Sequence, residues 1–516
     1  MAVRSQSPLV AVVIALCSLS LMSSAIAISG QTVPSDNALR VRIEEIRQKP
    51  STLVRGDRLW QPEAVAKFIE ARALSPVWRL PKAGDEILKA IRASEQNGLT
   101  PADYHLAAIA SALEAYARTP TNELGTELQI LITDAAAALA DHLQYGKVRP
   151  SSLDKRWNVD PRLGSPPLDA TLAQIAGAPA LDQALAGLEP KHFIYQGLKR
   201  ALGRMRTLAA AGGWPTVPLG AAIKPDAKDS RIPTIRKRLA STGELKAATE
   251  ETTYDADLQS AVKNFQAHHR LTDDGVIGKG TIDAMNVPAD ARVAQLRANL
   301  ERARWVVEGL GDSFVLVNLP AFKVYVIRDR KNVWETRTQI GREARQTPTF
   351  RAELKYLVLN PDWTVPPTIL AKDVLGGMRA GQNTIAKKRL TILDDRGQAV
   401  DPATIDWQAA TPRNFRYTLR QPPGADNALG RVKFIFPNEY SIFLHDTPSQ
   451  ELFAADLRIF SSGCIRVEHA LDLAGVLLEH HSTWTPERVR TALESKQSQT
   501  IFLDKPQQVL IVYWTA

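Results

Sequence analysis

A cysteine, a histidine and an arginine near the end of this 516-residue chain are the side chains best suited to chemistry. The segment 440–469 reads Y-S-I-F-L-H-D-T-P, then a variable stretch, then S-S-G-C-I-R-V-E-H, with His445 nineteen positions before Cys464. Read as a strand, residues 441–445 put Ser441, Phe443 and His445 on one face and Ile442 and Leu444 on the other. His445 then ends that strand, ahead of an Asp446-Thr447-Pro448 turn. Cys464 follows the turn-forming run Ser461-Ser462-Gly463 and precedes a predicted helix over 468–479. A thiol ahead of a helix N-terminus, with Arg466 two residues on, is expected to favour the thiolate. An imidazole in reach would take the thiol proton and return it to a leaving amine. Gly463 permits close backbone approach, so the amides of Gly463 and Cys464 are candidate oxyanion donors. Together these residues would perform acyl transfer. Spacing alone does not bring the pair together, and an inert, buried cysteine is the alternative reading.

The N-terminus bears on that choice. Arg4, the apolar run Leu9 to Met22 and the triplet Ala25-Ile26-Ala27 form a signal peptide with expected cleavage after Ala27, with a retained anchor as the alternative. A lipoprotein attached through Cys17 fits less well, because Leu16 stands where a small residue is wanted. Cleavage would leave Cys464 as the lone thiol of a protein exported to an oxidising compartment, the periplasm. The formal charge of +9 is spread among nearly as many acids. No basic stripe points to nucleic acid, although loose attraction to an anionic envelope polymer fits. No later stretch reaches the ~20 apolar residues of a membrane span. With no H-E-x-x-H or clustered Cys/His set, neither a metal nor another cofactor is expected.

The rest of the chain supplies the elements that must position these residues. Residues 28–227 read as a helical scaffold, with helical periodicity in segments such as Ile130 to Leu143 and breaks at Pro150, Pro161 and Pro166-Pro167. Residues 228–290 form a smaller helical unit in which Leu258, Ala261, Val262 and Phe265 line one face. Asp274-Gly275 and Gly278 mark its turns, and the adjacent His268 and His269 are expected at the surface. A helical linker over 291–311 leads to a β-rich domain over 312–516. Its predicted strands are 314–319, 323–327, 356–359, 432–436, 441–444 and 509–514. A stretch over about 371–430, rich in Gly, Pro, Asn and Arg, is too long for a plain connection and reads as a capping insertion or lid.

The blocks around Cys464 resemble the YkuD-type L,D-transpeptidase catalytic domain, which has a histidine at a strand end and a Ser/Thr-x-Gly-Cys-aliphatic-Arg signature. Supporting blocks follow in order: Gly341-Arg342 with Gln346-Thr347-Pro348, N-P-D-W-T-V-P-P from Asn360, and P-G-A-D-N-A-L-G-R-V-K-F from Pro423. Phe265-Gln266, Leu271, Asp274-Gly275, Ile277-Gly278 and Thr281 resemble a type 1 peptidoglycan-binding domain, so the chain is similar to the larger YcbB-like members. The resemblance implies Cys464 as nucleophile and His445 as base, with the Asp446 backbone carbonyl orienting the imidazole. Arg466 and Ser462 would line the donor site, and Trp363 and Asn427 would contact or support the cleft.

The implied reaction releases D-alanine from a tetrapeptide stem through a Cys464 thioester and forms a 3–3 cross-link; carbapenems would acylate the same thiol. The alternatives are an L,D-carboxypeptidase, a ligase joining protein to the wall, or a non-catalytic wall-binding protein. Implied partners are peptidoglycan stem peptides and other wall-synthesis proteins. The chain departs from the pattern at Ser462, where many relatives have His, at Glu468 in place of Asn, and at Phe443 in place of Tyr. It also ends at Ala516, soon after a strand, where relatives often continue.

Overall fold

The computed structural model describes residues 36–153 and 157–516, so the leader read at residues 1–27 lies outside the described residues. The N-terminal unit is helical and is built around α1, Asn122–Tyr145. The Thr121 side chain caps it by accepting a hydrogen bond from the Leu124 amide, and Gly146 ends it in a left-handed conformation. Ala135 to Ala138 and Ala140 are all fully buried, and such short side chains let neighbouring helices approach closely. Asp134, also fully buried, accepts from the Trp60 and Gln61 amides and lies 2.8 Å from His105 Nε2. Those partners offset the cost of burying a carboxylate.

After α2, Phe193–Ala210, the small unit contains α3, Ile232–Thr242, α4, Ala256–His268, and α5, Lys279–Met285. Leu258, Ala261, Val262 and Phe265 of α4 pack against Ile282 and Met285 of α5 in one core. Gln266 ties this core to the Asp274-Gly275 turn, donating to Val276 O and accepting from the Gly275 amide. His268 is exposed, but His269 is not a surface residue. Its ring stacks on Phe265 at 3.8 Å and its Nδ1 lies 2.8 Å from the Phe265 carbonyl, because the chain turns back over α4 at this point.

The segment read as a linker is α6, Ala289–Val306, and it is a strut more than a tether. Leu296, Leu300, Ala303 and Trp305 pack in one core with Tyr195 and Leu202 of α2 and with Leu510 and Trp514. Arg297 donates to Gly98 O and Arg304 to Tyr195 Oη. Burial on several faces holds the N-terminal unit against the C-terminal one.

The C-terminal unit is a closed eight-stranded barrel. Its strands in chain order are β1, Phe314–Asn318, β2, Lys323–Arg328, β3, Lys331–Gln339, and β4, Phe350–Leu359. The insertion contributes β5, Trp363–Thr364, β6, Thr391–Leu393, β7, Ala399–Val400, and β8, Thr418–Gln421. The barrel resumes with β9, Val432–Ile435, β10, Leu444–His445, β11, Ile465–Val467, then α7, Ala470–Leu478, and β12, Gln499–Val512. The barrel order is β9-β10-β11-β3-β2-β1-β12-β4, closed by β4 against β9.

The insertion starts earlier than the 371–430 stretch suggests. Its four-stranded sheet, ordered β5-β8-β6-β7, opens at Trp363, which pairs with Gln421. Trp363, Val374, Ile385, Ile392 and Leu419 give it a core of its own, so the polar composition conceals a small folded unit.

Candidate active site

β10 is two residues long and lies between β9 and β11. Lys433 of β9 pairs with His445, His445 with Arg466 of β11, and Arg466 with Gln339 of β3. Paired residues share a face, so Lys433, His445, Arg466 and Gln339 form one row across four strands. Ile465 and Val467 point the other way into the barrel core. Cys464 lies just ahead of β11, where its side chain packs on the barrel core and its Sγ reaches Ser441 O. The register therefore sets His445 against Arg466 and brings the strand end that follows Cys464 alongside β10.

His445 is only 4 % exposed, and its Nδ1 lies 2.5 Å from the Asp446 carbonyl. A carbonyl can only accept, so Nδ1 carries the proton and Nε2 keeps its lone pair. Burial, with Arg466 and Lys433 beside it, pulls the imidazole down to about 3. The Asp446 carboxylate is engaged elsewhere, accepting from the Arg431 amide and Gln450 Nε2. Phe443 packs on the core of the insertion and its ring sits 5.6 Å from that of His445.

The expectation of a thiolate stabilised by a helix N-terminus is overturned. Cys464 leads into strand β11, and α7 starts only at Ala470, beyond the first-turn range of a helix dipole. The half-buried thiol donates to Ser441 O at 3.6 Å. Burial pushes it up to about 11, although the Phe443 backbone and Arg466 pull the other way. At neutral pH the site therefore holds an uncharged thiol and an uncharged imidazole. Glu468 turns away to bind Arg337 at 2.7 Å and caps no helix.

The expected oxyanion donors also change. The Gly463 amide, one of the two expected donors, donates to Ser461 Oγ. The Cys464 amide is left as the candidate donor next to the thiol. Trp363 and Asn427 are 8 % and 1 % exposed; the former is core of the insertion. Asn427 Nδ2 donates to Pro422 O. Neither offers a contact surface, which leaves them only the supporting role. Arg466 donates to Gln339 Oε1, and its buried Nε has no partner among the described residues.

Residues of the supporting blocks and of the insertion surround the site. Thr347 Oγ1 accepts from the Gly341 amide and donates to the Gly463 carbonyl, fixing the loop before the nucleophile. A Cβ on Gly341 would overlap the Arg345 carbonyl and lie 2.7 Å from the Thr347 amide. Gly341→Ala is expected to cost about 1–3 kcal/mol, read as a lower urea midpoint at unchanged slope. Arg345 binds Ser462 Oγ at 2.8 Å and grips both oxygens of Asp373 in the insertion. It thereby latches the insertion to the nucleophile's loop. Asp373→Ala should speed limited proteolysis within 363–421 by about 5- to 30-fold, the equivalent of one or two kcal/mol. Arg345 stands between the Gly341-Arg342 and Gln346-Thr347-Pro348 blocks, and nothing in the sequence marks Asp373. Among the described residues, no three His, Cys, Asp or Glu side chains gather as a metal site.

Residues 312–489, which span the barrel up to α7 and beyond, match the YkuD family model, an L,D-transpeptidase catalytic domain. The barrel is an L,D-transpeptidase catalytic domain. Ahead of this transpeptidase domain, residues 63–202 match a scaffold domain and 228–285 a peptidoglycan-binding domain whose description is provisional. A Haemophilus influenzae protein, named provisionally as an L,D-transpeptidase, is 34 % identical over 286 residues. The match takes in 54 % of this chain and 58 % of that relative, so the chain spans less than two thirds of its length. Solved structures of L,D-transpeptidases from Stackebrandtia nassauensis and Xylanimonas cellulosilytica are 14 % and 13 % identical. They cover 58 % and 57 % of this chain and 96 % and 99 % of their own, with TM-scores of 0.22 and 0.18.

Proposed function

We propose that the protein is a peptidoglycan L,D-transpeptidase that works outside the cytoplasm through a Cys464 thioester. The single observation that carries this reading is the register of Leu444 against Ile465 and His445 against Arg466, which brings Cys464 and His445 onto neighbouring strand ends. The transpeptidase and peptidoglycan-binding matches supply the substrate class, and the leader at residues 1–27 supplies the route to the periplasm.

In this mechanism, Cys464 Sγ leaves its hydrogen bond to Ser441 O as a stem tetrapeptide enters. It attacks the carbonyl of the third residue while His445 Nε2 takes the S–H proton. The Cys464 amide donates to the oxygen that becomes negative. Collapse breaks the bond to the terminal D-alanine, whose amine receives the proton from Nε2. An amine of a second stem then attacks the thioester, His445 takes its proton, and the thiol is regained with a 3–3 cross-link formed. Arg466, with its unpartnered buried Nε, would bind donor carbonyl or carboxylate oxygens. Ser462 would line the same side, and the latched insertion would exclude water from the thioester.

Incubation with a disaccharide-tetrapeptide, followed by mass spectrometry, tests the reading. D-alanine release with dimers is the expected result. Release without dimers would make the protein an L,D-carboxypeptidase, and transfer to a supplied lysine-bearing protein without dimers would make it a wall ligase. No release at all would leave a wall-binding protein. A carbapenem should add its mass to wild type and not to Cys464→Ala.

A further inference from the structure

A second cavity, of about 400 Å³, opens where α2, the small helical unit, α6 and the C-terminal residues meet. Arg204, Arg238 and Arg292 line it together with Trp214, Met205 and Leu208. Arg238 is 1 % exposed. Its Nε donates to Met285 O and its Nη1 to Thr242 Oγ1, both at 2.8 Å, and its guanidinium lies over the Trp214 ring at 3.9 Å. Arg292 donates to Gln295 Oε1 and Ala284 O. Among the described residues no carboxylate stands within ion-pair distance of any of the three arginines. Glu244, the acidic side chain on the wall, accepts from the Thr242 hydroxyl and its charge favours the Arg238 guanidinium, and Ala516 also lines the cavity. His269, also on the wall, is held down at about 4 by burial and is uncharged at neutral pH.

A buried cation without a counter-ion is costly. Burial draws Arg238 down to about 10, with Glu244 opposing and Arg292 adding to the shift, so the guanidinium stays charged at neutral pH without a direct ion pair. The volume is within the range of small organic ligands and far above that of one water. Trp214, Met205 and Leu208 give the wall an apolar part that an inorganic ion would leave uncovered.

We propose that this cavity binds a short acidic peptide, with a carboxylate on the guanidinium groups of Arg204, Arg238 and Arg292 and its apolar part against Trp214, Met205 and Leu208. A stem peptide of the cell wall as the natural source rests on the proposed function; the acidic chemistry of the site does not. Bound there, the ligand would bridge α2, the small unit and α6.

The test is calorimetric titration of the full chain carrying Cys464→Ala, which binds without turnover. The probe is L-alanyl-D-glutamate, with its neutral diamide and inorganic phosphate as comparisons. The dipeptide should bind saturably and more weakly as salt rises, with the diamide and phosphate at least tenfold weaker. Arg204→Gln with Arg292→Gln should lose at least tenfold in affinity without a change in melting temperature. Arg238 is left intact because it packs the core. In the native-cysteine chain the same double variant should keep its rate on a soluble tetrapeptide. Equal binding of acid and diamide, phosphate as tight as the dipeptide, an unaffected double variant, or no saturable binding would each overturn the proposal. None of these results depends on whether Cys464 forms a thioester.

Discussion

Cys464→Ala is expected to lower D-alanine release from a tetrapeptide donor by about 10⁴-fold or more, at an unchanged melting temperature. Loss of a nucleophile costs far more than loss of a binding contact, because the remaining groups cannot replace the covalent step. Stability should hold because the thiol is half-buried and makes one weak hydrogen bond, to Ser441 O. The two readouts separate a chemical role from a structural one, since an inert packing cysteine would move the melting temperature and not the rate.

His445→Ala should cost about 10²- to 10⁴-fold in kcat/KM, and wild type should show a characteristic pH dependence. The imidazole is held at about 3 and the thiol at about 11. Between pH 5 and 9 the free protein therefore keeps S–H and a neutral Nε2. As pH falls through 6.5 the histidine does not gain a proton, so kcat/KM should have no acid limb there. As pH rises, thiolate grows about tenfold per unit, and iodoacetamide should label Cys464 correspondingly faster all the way to pH 9. A labelling rate that levels off below pH 7 would mean a preformed thiolate–imidazolium pair, and proton transfer would then precede attack. Both single effects should be strongly non-additive, since thiol and imidazole act as one unit.

The two kinds of local reasoning about Cys464 differed in how far they held. Residue type was informative: a thiol, an imidazole and a guanidinium in short blocks can serve few purposes together, and the matched catalytic domain contains all three. Local geometry was harder to read. The three residues Ile465–Val467 are too short to announce a strand against the helix that follows, so the dipole argument placed the thiol at the wrong element. The pairing of β10 with β11 is parallel and joins residues twenty-one apart, a long-range choice made by the barrel's closure. β3 escaped notice because Lys331 to Thr336 is mostly polar and its burial starts only at Thr336. Helix α4 was legible because its apolar face obeys a local period. The insertion's sheet was not, since Trp363 and Gln421 meet only once the intervening residues have folded.

The most direct measurement is the intact mass of the protein quenched in acid seconds after mixing with a tetrapeptide donor, followed by peptide mapping. The expected species is heavier by the donor mass less alanine, with the addition on the fragment containing Cys464 and lost on treatment with hydroxylamine. An unmodified protein under conditions of active turnover, or the same adduct on Cys464→Ala, would contradict the thioester.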